Sequence, residues 1–204
     1  MKTLFVPAEI NFLGNFDKLK NDFELLPKNL ALCYSIQYKS FAEKVKKELS
    51  KSHNIINFFQ ILGCSKPKNL GKADCILVLA DGKFHAISIA YETKKQVYLL
   101  ERDKLIKIMQ EEIGDLEKKK KASYLNFLNS GKVGILISTK PGQQRLERAL
   151  NLSKKLKNKK LYFFLSNEIN IQEIENFGLD FWINTACPRM DLDSPKIINI
   201  NKFD

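Results

Sequence analysis

Two cysteines stand in loops that look built to present a thiolate: Cys64 in Gln60-Ile61-Leu62-Gly63-Cys64-Ser65, and Cys187 in Asn184-Thr185-Ala186-Cys187-Pro188-Arg189-Met190-Asp191. Each follows an apolar, strand-like run and has glycine or proline close by. A cysteine inside a core strand behaves as a small apolar residue and needs no such punctuation. Cys64 and Cys187 are therefore the thiols placed to meet a metal or a substrate. Gly63 allows a tight turn and a close backbone approach, and Pro188 biases Cys187 toward an extended backbone.

The other two cysteines read differently. Cys33 lies in Leu30-Ala31-Leu32-Cys33-Tyr34 and Cys75 in Ala73-Asp74-Cys75-Ile76-Leu77, both flanked by apolar residues and both expected in the core. No CxxC pair or CxxxCxxC run occurs, and with His53 and His85 as the only histidines a zinc site is poorly supported. Residues 1–10 lack the pattern of a secretion signal, so free thiols or ligands are expected rather than disulfides. No apolar run approaches the roughly 20 residues of a membrane span. A cytoplasmic globular protein without membrane attachment is the expectation.

Further polar groups could serve a ligand. Thr139-Lys140-Pro141-Gly142-Gln143-Gln144-Arg145 sits between a predicted strand and a predicted helix, where free N–H groups and the positive dipole end can hold a carboxylate or phosphate. Many such loops carry proline and glycine for geometry alone. Arg189 beside Cys187 could fix a carboxylate by paired hydrogen bonds, whereas Asp191 and Asp193 could simply cap a turn. Gly82 suggests a positive φ, and His85, next to an apolar run, is equally compatible with a core position. No residue is singled out as a catalytic acid, base or nucleophile.

Strand-like and helix-like periods alternate along the chain, which implies parallel sheets covered by helices. Residues 4–7, 30–36, 55–59, 75–79 and 96–100 read as strands, with an amphipathic helix over 41–49 and an apolar segment over 85–91. Residues 102–129 read as one long charged helix with an apolar stripe. Beyond it come strands at 133–138, 161–165 and 181–184, with helices at 143–156 and 171–176. The expected fold is α/β: two related parallel-sheet domains, 1–101 with Cys64 and 131–204 with Cys187, joined by a connecting helix over 102–130. In open α/β sheets ligands bind at the carboxyl ends of the strands. Cys64, Thr139–Gln143 and Cys187 all follow predicted strands, so one cleft is expected to contain them.

Four stretches, ILGCS, Ala73 to Leu105, Gly134 to Leu156 and Asp180 to Asp193, resemble in order the second and third domains of the diphthamide synthase family. This is the 2-(3-amino-3-carboxypropyl)histidine synthase family. The resemblance implies a 4Fe–4S cluster with Cys64 and Cys187 as two of its ligands and S-adenosylmethionine at an open iron. It also implies transfer of a 3-amino-3-carboxypropyl group, as a radical, to a histidine of elongation factor 2. Lys140, Gly142 and Gln143 would then bind the methionine part of S-adenosylmethionine, with Arg189 on its carboxylate and Gln37, in a TxQ-like stretch, as a further hydrogen-bond partner. Asp81-Gly82-Lys83-Phe84-His85 resembles a Gly-Asp-Gly-Arg-Phe-His turn, with Ala80 and Lys83 replacing the usual glycine and arginine. Lysine gives up the bidentate geometry of arginine.

The resemblance starts at the family's second domain, so the third cysteine is expected from a separate chain. A homodimer, like the family's archaeal enzymes, is also compatible. The alternative is a truncated, non-catalytic subunit or binding module that keeps the fold, since fold does not carry activity with it. The net charge of +11 could steer an acidic protein partner. Lysine is spread along the whole chain and the phenylalanines fall in apolar runs, so nucleic-acid binding is not expected as the main role.

Overall fold

The structure is a computed structural model that describes residues 4, 6, 8–10, 12, 16–62, 67, 69–192 and 194–203. The chain divides into two compact units, Met1–Leu116 and Glu117–Asp204.

The first unit contains α1 (Phe16–Glu24), β1 (Asn29–Tyr34), α2 (Lys39–Leu49), β2 (Asn54–Gln60), β3 (Cys75–Leu79), α3 (Phe84–Thr93), β4 (Gln96–Glu101), β5 (Lys104–Lys107) and the start of α4 (Gln110–Asn129). Its sheet runs β2-β1-β3-β4-β5, parallel except for the last pair. Strand β3, CILVL, is buried at every position, as expected of a parallel strand covered on both faces. One face packs Leu30, Leu32 and Leu77 under Leu19, Phe41 and Val45 of α1 and α2. The other packs Ala31, Ile76 and Val78 under Ala86, Ile89 and Ala90 of α3.

The second unit contains the rest of α4, then β6 (Lys132–Ser138), α5 (Leu146–Lys155), β7 (Lys160–Ser166), α6 (Ile171–Ile174), β8 (Phe181–Asn184) and β9 (Ile197–Asn199). Its sheet, β7-β6-β8-β9, is wholly parallel. Val133, Ile135, Ile137 and Phe181 face Phe127, Ala149 and Leu152 from the helices, while Leu136 and Trp182 face Ile174 on the other side. The amino-terminal edge is tied by charge. Asp180 accepts from the Gly131 and Lys132 N–H groups at 2.9 and 2.7 Å, and these bonds hold its carboxyl below its ordinary pKa. Lys159 Nζ donates to the carbonyls of Phe127, Leu128 and Ser130 at 2.8, 3.1 and 2.7 Å. It thereby satisfies orphan carbonyls at the carboxyl end of α4 and complements its negative dipole end.

The alternating α/β pattern is present, and the structure departs from the sequence reading in several elements; α1 and β9 stand where no element is expected. The long helix begins at Gln110 rather than Arg102, because residues 102–107 instead turn back as β5, the antiparallel edge strand. Arg102 takes a left-handed φ of 56° at that turn, and Asp103 is paired with Lys18 of α1 at 2.8 Å. The apolar segment after Gly82 is helix α3. Helix α5 starts at Leu146, three residues after the Gln143 expected. Within residues 4–7, read as a buried strand, Leu4 and Val6 are 85% and 76% exposed.

Gly134 shows how closely the second unit is packed. A Cβ added there would lie 2.2 Å from two ring atoms of Trp182, which crosses the neighbouring strand at the paired position. Gly134→Ala is expected to cost about 1–3 kcal/mol of unfolding free energy in urea melts, the usual penalty for forcing extra volume into a packed core. An unchanged midpoint would show that the indole can move aside freely.

Candidate functional site

Both sheets reverse their order of winding once. In the first, β1 leads outward to β2 and the chain then returns to place β3 on the other side of β1. In the second, β6 leads to β7 and the chain returns to place β8 beside β6. Such switch points leave a crevice at the carboxyl ends of the two strands, because their connections depart in opposite directions.

In the second unit the loops flanking that crevice are Thr139–Arg145 after β6 and Thr185–Leu192 after β8. The cysteine loop thus falls at the switch point, on a firm base. Thr185 donates to the Leu136 carbonyl through both its N–H (3.0 Å) and its hydroxyl (2.9 Å). Cys187 is a free, half-buried thiol just beyond, and its carbonyl accepts from Asn184 Nδ2 at 2.7 Å and from Met190 N–H at 3.2 Å. A 3-10 turn, Pro188–Leu192, completes the loop and leaves Arg189 exposed. Asp191, read from the sequence as a turn cap, instead reaches across to β9 and accepts from the Asn199 N–H at 2.7 Å. Burial pushes its carboxyl up to about 6, opposed by hydrogen bonds from Asn184 and Asn199 and by the charge of Lys120 on α4.

Across the crevice, Gly142 adopts a left-handed φ of 78°. Gln143 N–H closes the turn onto the Lys140 carbonyl at 3.0 Å, and Lys140 N–H is held by Ser138 Oγ at 3.1 Å. Lys140 Nζ lies 3.5 Å from Glu168, an exposed and weak pair. The structure therefore places Lys140, Gly142 and Gln143 on the loop after β6, and Cys187 with Arg189 on the loop after the neighbouring strand β8.

In the first unit, Gln37 is exposed on the turn after β1, and its carbonyl accepts from Ile10 N–H at 2.8 Å. Tyr38 donates to Asp81 on the turn after β3. Burial, and then the Asp81 carboxylate, push the phenol above its ordinary value, so it stays a donor. Gly82 has the expected positive φ, 70°, and its N–H donates to Glu101 at 2.6 Å. Lys83, in place of the arginine of the related turn, is paired with Glu112 at 2.7 Å. His85 lies in the first turn of α3, half-buried against the Phe84 ring. Cys64, and with it any test of its approach to Cys187, lies outside the described residues.

Cys33 and Cys75 are fully buried. Burial raises the Cys33 thiol well above its ordinary value and pushes Cys75 up to about 12, with Asp74 adding to the effect at Cys75. Neither offers a thiolate. Among the described residues no three His, Cys, Asp or Glu side chains are gathered as a metal ion would need. Of the described cysteines Cys187 alone lies on a loop rather than in the core, as a free, half-buried thiol.

Two open-sheet units of this kind, each with a switch point at the carboxyl edge, define an α/β protein. The particular family is shown by its model for diphthamide synthesis proteins, which matches residues 1–199, and the chain belongs to that family. It is 32% identical, over 95% of its length, to the 2-(3-amino-3-carboxypropyl)histidine synthase of Methanocaldococcus jannaschii, of which it spans 57%. To the human 2-(3-amino-3-carboxypropyl)histidine synthase subunit 1 it is 26% identical, spanning 46% of that protein. Its fold matches the crystal structure of Dph2 from Pyrococcus horikoshii with a TM-score of 0.84 at 22% identity, covering 98% of this chain and 63% of that one. A second structure of that protein, with a 4Fe–4S cluster, matches with a TM-score of 0.79 at 21% identity, covering 92% of this chain and 60% of that one.

Alkylation of the native chain with iodoacetamide near neutral pH should label Cys187 and spare Cys33 and Cys75 on the same timescale, as read by peptide mass spectrometry. Labelling of either buried thiol at the Cys187 rate, with the fold intact, would contradict their placement. A second expectation concerns Asp191. The folded unit keeps a proton on this group where the unfolded chain has lost it, so its ionisation costs stability as the pH rises from 3.8 through about 6. Urea melts across that window should show a smaller loss for Asp191→Asn than for the parent chain; parallel profiles would refute the raised value.

Proposed function

We propose that the chain forms part of a 4Fe–4S, S-adenosylmethionine-dependent transferase that places a 3-amino-3-carboxypropyl group on a histidine of elongation factor 2, the first step of diphthamide synthesis. The observation that carries the reading is Cys187: a free, half-buried thiol at the carboxyl end of β8, on a switch-point loop, in a chain of this family. The cluster seen in the Pyrococcus horikoshii protein supports it. When bound, such a cluster supplies the electron that cleaves the sulfur–carbon bond of S-adenosylmethionine.

The chain's own residues bind and orient. Cys187 and Cys64 would each hold one iron, with a further thiolate needed to complete the set. Lys140 and Arg189, on the loops after the neighbouring strands β6 and β8, would offer cationic groups to the substrate carboxylate. The left-handed Gly142 lets the backbone approach closely, and Gln143 stands beside it. Gln37 would supply a further hydrogen bond. The excess positive charge of the chain, +11, favours encounter with an acidic protein substrate.

Anaerobic iron–sulfur reconstitution tests this reading, with iron per chain and S-adenosylmethionine cleavage measured for the chain alone and after mixing with a chain that supplies a third cysteine. The isolated chain should hold a cluster poorly and the mixture well. Cys64→Ser and Cys187→Ser should each abolish the gain, while Cys33→Ala and Cys75→Ala should leave it intact. A full cluster and modification of elongation factor 2 by the isolated chain would refute the need for a further thiolate. A mixture that stays iron-free would favour a non-catalytic subunit.

A further inference from the structure

The last residues of β8 and β9 are Asn184 and Asn199, paired across the ladder and buried to 0% and 5% exposure. Both end short strands that are otherwise apolar, FWI and II. Buried amides are costly unless their hydrogen bonds are made, and here the bonds converge on the cysteine loop. Asn184 Oδ1 accepts from the Ala186 N–H at 2.7 Å, and its Nδ2 donates to the Cys187 carbonyl at 2.7 Å. The same Nδ2 lies 3.4 Å from Asp191 Oδ1. Asn199 Nδ2 donates to the Ala186 carbonyl at 3.3 Å, while Asp191 Oδ2 holds the Asn199 N–H at 2.7 Å. The far side of Asn199 is engaged too, since its Oδ1 accepts from Asn201 N–H at 3.0 Å.

Three backbone groups around the thiol, Ala186 N–H, Ala186 C=O and Cys187 C=O, are thus held by two side chains, and Asp191 ties the outgoing end of the loop to the same pair. Apolar residues at these positions would fill the space equally well. What the amides add is direction, because each bond fixes a peptide plane next to Cys187. We propose that Asn184, Asp191 and Asn199 are positioning residues that lock the Cys187 loop, so that its thiol keeps one orientation toward the crevice. This inference takes its functional meaning from the reading of Cys187 as a cluster ligand, but the lock itself is a property of the loop.

The test is the alkylation rate of Cys187 by iodoacetamide in the full chain, mapped by peptide mass spectrometry, with amide hydrogen exchange of β6 followed in the same samples. Asp191→Ala should speed alkylation about tenfold, the effect of one buried hydrogen bond on local opening, with β6 exchange unchanged. Asn199→Ser alters no charge, so a similar acceleration there separates loosening from a change in local potential. Asp191→Asn, which keeps one acceptor, should fall between. An unchanged rate in a folded Asp191→Ala or Asn199→Ser variant overturns the proposal. So does an acceleration matched by faster β6 exchange, since the ties would then serve the whole unit. If Asp191→Ala does not fold, Asp191→Asn and Asn199→Ser decide. Failure of the ligand reading is seen separately, as reconstituted iron content unaffected by Cys187→Ser.

Discussion

Burial of the central parallel strands on both faces is the constraint on which the rest depends. β1 and β3 in the first unit, and β6 and β8 in the second, have helices or loops over each side, so they can be followed only by connections that leave at their ends. Polar chemistry is thereby expelled from the sheet faces to its edges. The carboxyl edge, where consecutive connections part, is where backbone groups can turn toward a ligand.

The same constraint sorts the cysteines. Cys33 and Cys75 lie within strands covered on both sides, and burial holds their protons. Cys187 lies one loop beyond a strand of the same kind and is a half-buried thiol instead. The second unit also separates its tasks between two edges. Asp180 and Lys159 neutralise orphan backbone groups at the amino edge, while Asn184, Asp191 and Asn199 govern the loop at the opposite edge.

Strands β1, β3 and β6 were legible because a strand buried on both faces must be an unbroken apolar run, and Leu30–Tyr34, Cys75–Leu79 and Val133–Ile137 are such runs. The start of α4 was not. Glu101-Arg102-Asp103-Lys104 is as charged as a helix surface, and what makes it a turn is pairing of β5 with β4, which no local pattern records. Switch points were equally hidden, since strand order is a non-local property. The cysteine motif and the Gly142 loop could be recognised as candidates because they combine unusual residues with a position after a strand. The polar ties behind Cys187 could not. β9 is three residues long, and Asp191 looks like a turn residue until its partner strand is placed.

Trp182 is the only tryptophan in the chain, and it sits on β8 of the second unit, edge-on to Phe164 and Phe177 and flat over Gly134. The described residues packed with it belong to that unit. Indole emission is therefore an optical probe of the half that carries Cys187, whereas far-ultraviolet circular dichroism sums both. The two signals together can resolve whether the halves melt as one cooperative body or in separate steps.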